Sequence, residues 1–468
     1  ERWASGSSAQ SAKSEICSRN SSVAEIACGS RESDRPLHCE ASSMKAQRTL
    51  PPSAAPIEWR DLIQGLMGLV HPHETVGQLQ AEFRQYFGVK HVWFVSSGKA
   101  ALSLIFRALH SLSGRSKVVL PGYTCFSVPS AVVRARLSVA LCDVDPLSLD
   151  FDFAQLSQVA DSNVLCVLAT HLLGIGVDVP RVVELCRQRG IFVVEDVAQA
   201  FGGERDGVPF GAMGDVSFLS FGRGKNITCG SGGAILTNDD RIGEVLAREY
   251  ALLPEMSLAD MLKNWLEVAV TKVLLNPSLY WLPAGLPFLK LGETKFYTDF
   301  PITRLDPIRA GLLRRWKRRL ANSTTSRVAH SEQILRSLTL SNLQTIKPSG
   351  QGQSVYLRLP VLMRSKQEKD AVCRASADQG LGISPLYPSS LQQIVELRDI
   401  LSCQDVPKST MIAERLVTLP THELVSDSDV VRISTVIQAA QQVDGAETMR
   451  SSDVTNRQNH GSELPRVN

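Results

Sequence analysis

Three short clusters in this 468-residue chain hold residues whose types and spacing could do chemistry. Ser96-Ser97-Gly98 follows an apolar run ending at Val95 and opens a helix-like stretch from Ala100 to Leu109. Unpaired backbone N–H groups and the positive end of a helix dipole would meet there. That suits a phosphate, although Ser-Gly serves equally as an ordinary cap. Glu195-Asp196 follows the apolar Ile191-Phe192-Val193-Val194. A carboxylate at the carboxyl end of a strand can hold a protonated ring nitrogen, or it can cap the next segment. The third cluster runs from Ser220 to Asn226, with Lys225 set among Gly222, Gly224, Gly230, Gly232 and Gly233. It is not a phosphate-binding loop of the Walker type, because no glycine lies five residues before Gly224 and Asn226 replaces the required Ser or Thr. A lysine in such a setting is either solvated or, if desolvated, lowered in pKa and able to form a Schiff base. A phosphate cradle, an acidic partner for a ring nitrogen and a reactive lysine are together what pyridoxal 5'-phosphate requires.

These positions need strands that end side by side. Between about residues 57 and 240 short apolar runs alternate with helical patterns. Val92–Val95, Val118–Leu120, Ser138–Val144, Val164–Ala169 and Ile191–Val194 read as strands, and Ala100–Leu109 and Val179–Gln188 as helices. Such alternation predicts an α/β fold with a mainly parallel sheet buried on both faces. Asp215–Phe221 and Gly233–Thr237 read as two strands with no helix between them. A long basic helical pattern over about 305–340, a strand over Val355–Leu362, a helix over Glu368–Gln379 and the segments Ala413–Pro420 and Asp427–Gln438 suggest a smaller α+β domain. The expected division is a disordered polar segment over 1–55, a large domain over 56–310, a small domain over 311–442 and a disordered tail over 443–468.

Composition narrows the function classes. Fifty Lys plus Arg against 47 Asp plus Glu leave a net charge of +3, which gives no reason to expect nucleic acid as a partner. Ten cysteines form no C-x-x-C pair, and no H-E-x-x-H is present, so no metal is expected. The cysteines read as reduced thiols of a cytoplasmic protein. No apolar run reaches the ~18 residues that span a bilayer, and the polar beginning carries no signal-peptide core. The chain opens on Glu1, and Met44 is read as an alternative start.

The order of these motifs resembles the DegT-type, or StrS-type, sugar aminotransferases. The likeness rests on Val194-Glu-Asp-Val-Ala-Gln-Ala200 and Gly214-Asp-Val-Ser-Phe-Leu-Ser-Phe-Gly-Arg-Gly-Lys-Asn226. Ser97-Gly98, Pro121-Gly-Tyr-Thr124, Asp143-Val-Asp145, His171-Leu-Leu-Gly174, Gly230-Ser-Gly-Gly-Ala234, Leu386-Tyr-Pro388 and Leu419-Pro-Thr-His422 extend it over roughly residues 75 to 440. The resemblance implies fold type I, with a large domain built on a seven-stranded, mainly parallel sheet between helices and a smaller C-terminal α+β domain. It also implies a homodimer with sites at the interface. By the same resemblance Lys225 would link to the cofactor and act as acid/base, and Asp196 would hold the ring nitrogen. Gln199 would bond the ring hydroxyl, and Ser97, Gly98, Lys99 and Ser220 would hold the phosphate.

Departures fall mostly on the substrate and dimer side. Lys99 stands where the family commonly has Thr, and Cys125 where an aromatic residue usually covers the ring, leaving that task to Tyr123 or Phe126. The family's Asn-x-Arg reads Ile302-Thr-Arg304, and its His-Tyr-Pro reads Leu386-Tyr387-Pro388. His171 and Tyr387 are candidates to line the substrate site. The expected function is transfer of an amino group from an amino acid, with glutamate as the expected donor, to a keto sugar on a nucleotide. The setting would be polysaccharide or secondary-metabolite synthesis. The rivals are a dehydratase of the same family, whose deoxy-sugar members carry His where Lys225 stands, and a non-catalytic binding or regulatory protein.

Residues 259–291 match no family motif. Leu262, Trp265, Leu266, Ala269, Val270, Val273 and Leu274 predict one apolar helix face that Asn276-Pro277 should end. Packing on its own domain or on a dimer partner is one expectation, and peripheral membrane contact beside Lys263, Lys272 and Lys290 is the other.

Overall fold

Valine-rich runs form the centre of the chain because branched apolar side chains pack well on a pleated surface covered on both faces. The computed structural model describes residues 47–286, 294–338, 343–350, 352–402 and 405–440. The strands are β1 (His91–Val95), β2 (Lys117–Pro121), β3 (Ser138–Cys142), β4 (Val164–Thr170), β5 (Phe192–Asp196), β6 (Glu204–Arg205) and β7 (Val208–Pro209), then β8 (Val216–Ser220), β9 (Gly233–Thr237), β10 (Gln344–Thr345), β11 (Arg358–Leu362), β12 (Leu401–Ser402) and β13 (Leu416–Pro420). The main sheet has the order β1-β9-β8-β5-β4-β2-β3-β12. Seven strands make its body, and the two-residue β12 extends the edge beside β3. Only β9 runs against its neighbours β1 and β8. This is the mainly parallel sheet of fold type I.

Helices Gly98–Ser113, Ser127–Arg134 and Asp240–Ala251 cover one face. Helices Pro72–Phe87, Phe153–Val159 and Val179–Arg187 cover the other. A second sheet, β10-β11-β13, is antiparallel and packs with helix Lys366–Gln379 and the helical residues 427–440. It corresponds to the expected smaller α+β part.

Several expectations are refined. The helical pattern over 305–340 is two helices, Pro307–Leu312 and Trp316–Leu338. The strand expected from Val355 starts only at Arg358. The Val355 and Leu357 N–H groups donate instead to the carbonyls of Gly174 (2.9 Å) and Leu173 (2.8 Å). Residues 47–55, expected to be disordered, form an ordered strap. Leu50, Ala54 and Ala55 are buried, and Arg48 pairs with Asp429 at 2.7 Å. Ser53 Oγ donates to the Gly224 carbonyl at 2.9 Å, beside Lys225. Residues 1–46 and the expected tail lie outside the described residues.

The helix expected in the unmatched segment spans Leu258–Leu274, but its faces divide differently. Met261, Trp265, Val268 and Ala269 pack on the core, and Trp265 Nε1 donates to the Leu62 carbonyl at 3.0 Å. Leu258, Leu262, Leu266, Val270 and Val273 point outward. Residues 287–291 of this segment lie outside the described residues. No helix among the described residues is long and apolar enough to cross a membrane.

Candidate functional site

The strand ends gather the expected cluster on one edge of the sheet. Ser97 caps helix Gly98–Ser113 by accepting from Ala100 N at 3.1 Å, leaving the Gly98 and Lys99 N–H groups without intrahelical acceptors. Gly98 is required by contact, since a Cβ there would fall 2.9 Å from Ser220 Cβ. Gly233 is required likewise, since its Cβ would meet Ser97 O at 2.5 Å. Glycine at both positions lets β8 and β9 close on the helix start, forming a cradle of N–H groups and hydroxyls for an oxyanion.

Adjacent carboxylates on β5 divide two tasks by strand alternation. Glu195 accepts from the N–H groups of Gly211 (2.6 Å), Met213 (3.1 Å) and Gly214 (3.1 Å) and from His171 Nε2 (2.9 Å). It ties the loop before β8 to the sheet. Asp196 points the other way, buried, with one hydrogen bond from Ala198 N at 2.9 Å. Burial raises its pKa, while the Ala198 N–H and then the nearby Lys225 oppose that rise. A carboxylate so placed can hold a cationic ring N–H.

Lys225 leaves its loop half-buried and makes no hydrogen bond among the described residues. Burial lowers its pKa, so its amine loses a proton below the ordinary lysine range. Buried polar atoms without partners surround the same strand ends: Thr124 Oγ1, Thr170 Oγ1 and both amide atoms of Asn226. Buried polar groups are normally paired, so this clustering fits a site built around a polar group. An N–H cradle, an unpaired lysine and an anionic strand end fit pyridoxal phosphate.

Other expected residues fall into place around this set. Gln199 accepts from Leu173 N (2.9 Å) and donates to Tyr387 Oη (2.7 Å), and Tyr387 N donates to Tyr123 Oη at 3.2 Å. Three expectations change. Tyr123 and Phe126 do not stand free to cover a ring, because both are buried against Tyr387 with centroids at 5.5 and 6.4 Å. Cys125 of the same turn is half-buried. His171 does not line the cleft, because it is fully buried, stacked on Phe210 and bonded through both ring nitrogens, to Glu195 and Val177 N. The Lys99 ammonium turns from the cradle to the Tyr297 ring, 3.2 Å from its centroid, leaving only its N–H for a phosphate. Among the described residues no group of His, Cys, Asp and Glu could hold a metal ion.

Arg358, at the start of β11, was not singled out in the sequence. Its position inside an unremarkable apolar strand gave no signal.

The sequence profile of the DegT/DnrJ/EryC1/StrS aminotransferase family matches residues 67–261 and 301–438, more than two-thirds of the chain. The GDP-perosamine synthase of Vibrio cholerae is 30% identical over 167 residues, 36% of this chain and 45% of that protein. The GDP-perosamine synthase of Caulobacter vibrioides is 30% identical over 198 residues, 42% of this chain and 52% of that protein. The chain thus spans about half the length of the curated relatives it matches. Among solved structures, Helicobacter pylori PseC, an aminotransferase involved in the biosynthesis of pseudoaminic acid, superposes with a TM-score of 0.69 at 16% identity, covering 84% of this chain and 99% of that one.

Proposed function

The chain belongs to the DegT/DnrJ/EryC1/StrS aminotransferase family, and from that premise we propose that it is a pyridoxal-phosphate-dependent aminotransferase acting on a nucleotide-linked keto sugar. The amino donor is an amino acid, glutamate first, and the setting is cytoplasmic polysaccharide or secondary-metabolite synthesis. The observation that carries this reading is a buried Asp196, its side chain bonded only by Ala198 N at 2.9 Å, near the unbonded Lys225 and the Gly98–Ser220 cradle. When bound, the cofactor supplies an electron sink for the carbon that loses its proton. Asp196 orients and charges the ring end, the Gly98 and Lys99 N–H groups and Ser220 hold the phosphate end, and Gln199 lies between them with Tyr387. Lys225 Nζ, low in pKa, can take and return the proton. A lysine there supports amino transfer over the dehydratase reading.

The working unit is a homodimer. Twelve large apolar side chains on residues 59–70 and 258–282 are each 38–61% exposed, nine of them on the two packed helices Trp59–Met67 and Leu258–Leu274. Contiguous exposed apolar surface on a monomer commonly marks a place where a partner docks. A second copy of this chain is its occupant.

The test is to load the purified protein with pyridoxal phosphate, record the visible spectrum and add single amino acids. Loss of the visible band with one donor, and its return with a nucleotide-linked keto sugar, is the expected result. A stable spectrum with every amino acid would overturn the reading.

A further inference from the structure

We infer that Arg358, with Tyr280, forms the anchor for the carboxylate of the amino donor. This rests on the aminotransferase reading and names its donor subsite.

Among the described residues, other inward-facing arginines each make several short bonds. Arg327 donates to the carbonyls of Leu357 and Ala54, each at 2.6 Å, and to Ser323 Oγ at 3.0 Å. Arg319 reaches the carbonyls of Leu312 (2.9 Å) and Thr228 (2.7 Å), and Arg309 pairs with Asp306 and two carbonyls. Arg358 has one long bond, from Nη1 to Ser384 Oγ at 3.4 Å, and no carboxylate among the described residues pairs with it. A guanidinium carries five donors, and this half-buried one uses one of them on the protein, leaving the others for solvent or a ligand.

The backbone places this guanidinium at the cleft. Leu357, its neighbour, donates to the Leu173 carbonyl at 2.8 Å. Leu173 N in turn donates to Gln199, which bonds Tyr387. Ser384 lies three residues before Tyr387. Burial lowers the pKa of Arg358, the nearby Tyr387, Tyr280 and Tyr123 oppose that, and its own charge adds to the lowering at Lys225. Tyr280 comes from the segment 262–300 that the family profile does not match.

An amino acid bears its carboxylate on the carbon bonded to the reacting nitrogen. An anion bound beside Lys225 is therefore within one bond of the chemistry. On a nucleotide-linked sugar the diphosphate is held away from the aminated carbon by the sugar ring. A planar, bidentate guanidinium matches a carboxylate, and the Tyr280 hydroxyl adds a third donor.

The experiment compares wild type, R358Q, R358K and Y280F, each loaded with pyridoxal phosphate. Half-saturation is read from the visible spectrum for L-glutamate and for benzylamine, which has no carboxylate. Binding of succinate, which cannot react, is read by calorimetry. R358Q is expected to lower the preference for glutamate over benzylamine about 100-fold and to abolish succinate binding, with R358K restoring part of both and Y280F losing about tenfold. Glutamate half-saturation and succinate binding within threefold of wild type in R358Q would overturn the inference. So would a weakened sugar-nucleotide half-saturation with glutamate unchanged. Succinate binding that depends on Arg358 in a protein that transaminates nothing would sustain the anchor and reject the aminotransferase reading. If R358Q does not fold, Y280F and R358K decide by the same readouts.

Discussion

The cleft and the outward face of the insertion are mirror images in what they leave unfinished. At the strand ends, polar atoms of Thr124, Thr170 and Asn226 are buried without partners, and the side chains of Asp196 and Arg358 have one hydrogen bond each. On residues 59–70 and 258–282, apolar side chains are exposed without cover. Helix Trp59–Met67 is inverted in pattern. It buries Asp61, paired with Arg315 (3.2 Å) and Arg319 (3.7 Å), while Trp59, Ile63 and Met67 face out. Unpaired polar atoms define a ligand by donor, acceptor and charge, so the cleft names its chemistry. Exposed apolar surface defines only an area, and charge or shape must name what covers it.

Breaking the cleft side should give the largest effects. K225A should abolish turnover and the visible cofactor band, and borohydride reduction followed by peptide mapping should label Lys225 in the wild type. A label on Lys99 instead would refute the assignment. Because burial lowers the Lys225 pKa, cofactor capture by the apo protein should rise with pH about a midpoint below 10.5, the value of an ordinary lysine. A midpoint at or above that value would show that the lysine is solvated.

D196N should fold and keep some cofactor yet lose transamination by at least about 100-fold, because an amide supplies no charge to the ring nitrogen. Loss under about tenfold, roughly 1.4 kcal/mol of barrier, would reject that role. G233A should act more mildly, since its Cβ pushes the Ser97 carbonyl and spoils the cradle. Weakening of pyridoxal phosphate binding by about tenfold, with melting lowered through about 1–3 kcal/mol of overpacking, is the expected result in equilibrium dialysis and calorimetry.

The sheet and the cradle were legible because their signals are local. Periodicity marked β1 to β5, and the absence of a helix between Phe221 and Gly233 marked two strands there, which the structure pairs antiparallel. Choosing Asp196 over Glu195 needed the family likeness, because adjacent residues on a strand face opposite ways and sequence does not say which way is in. Arg358 and Tyr280 were not legible, because their meaning comes from a fold-back that brings residues far apart in the chain, 280, 358 and 387, near one another. Helix Trp59–Met67 was missed because its apolar stripe faces water and its buried face holds Asp61 and Gly65. The strap over 47–55 was hidden by a polar composition that Leu50 and Ala54 override.

Changing the outward face should perturb the chemistry least and association most. Removing the whole of 259–291 would also remove Val268, whose methyl group closes over Gly230, and Tyr280, so point changes separate the causes. Serine at Leu262, Leu266 and Val273 replaces three outward side chains while leaving the Trp265 anchor and the Arg223–Glu267 pair at 3.0 Å intact. If a second copy covers this stripe, the triple variant should shift from dimer to monomer in sedimentation at micromolar protein, with the cofactor spectrum retained. Each exposed leucine buried on association contributes about 1–2 kcal/mol, so three changes should weaken self-association by at least about 100-fold. A bilayer gives the opposite pattern. Wild type would then co-sediment with phosphatidylcholine vesicles containing phosphatidylglycerol, the variant would not, and the oligomeric state would stay unchanged. That outcome would reassign the face to a lipid surface, with Lys263 and Lys272 at the headgroups.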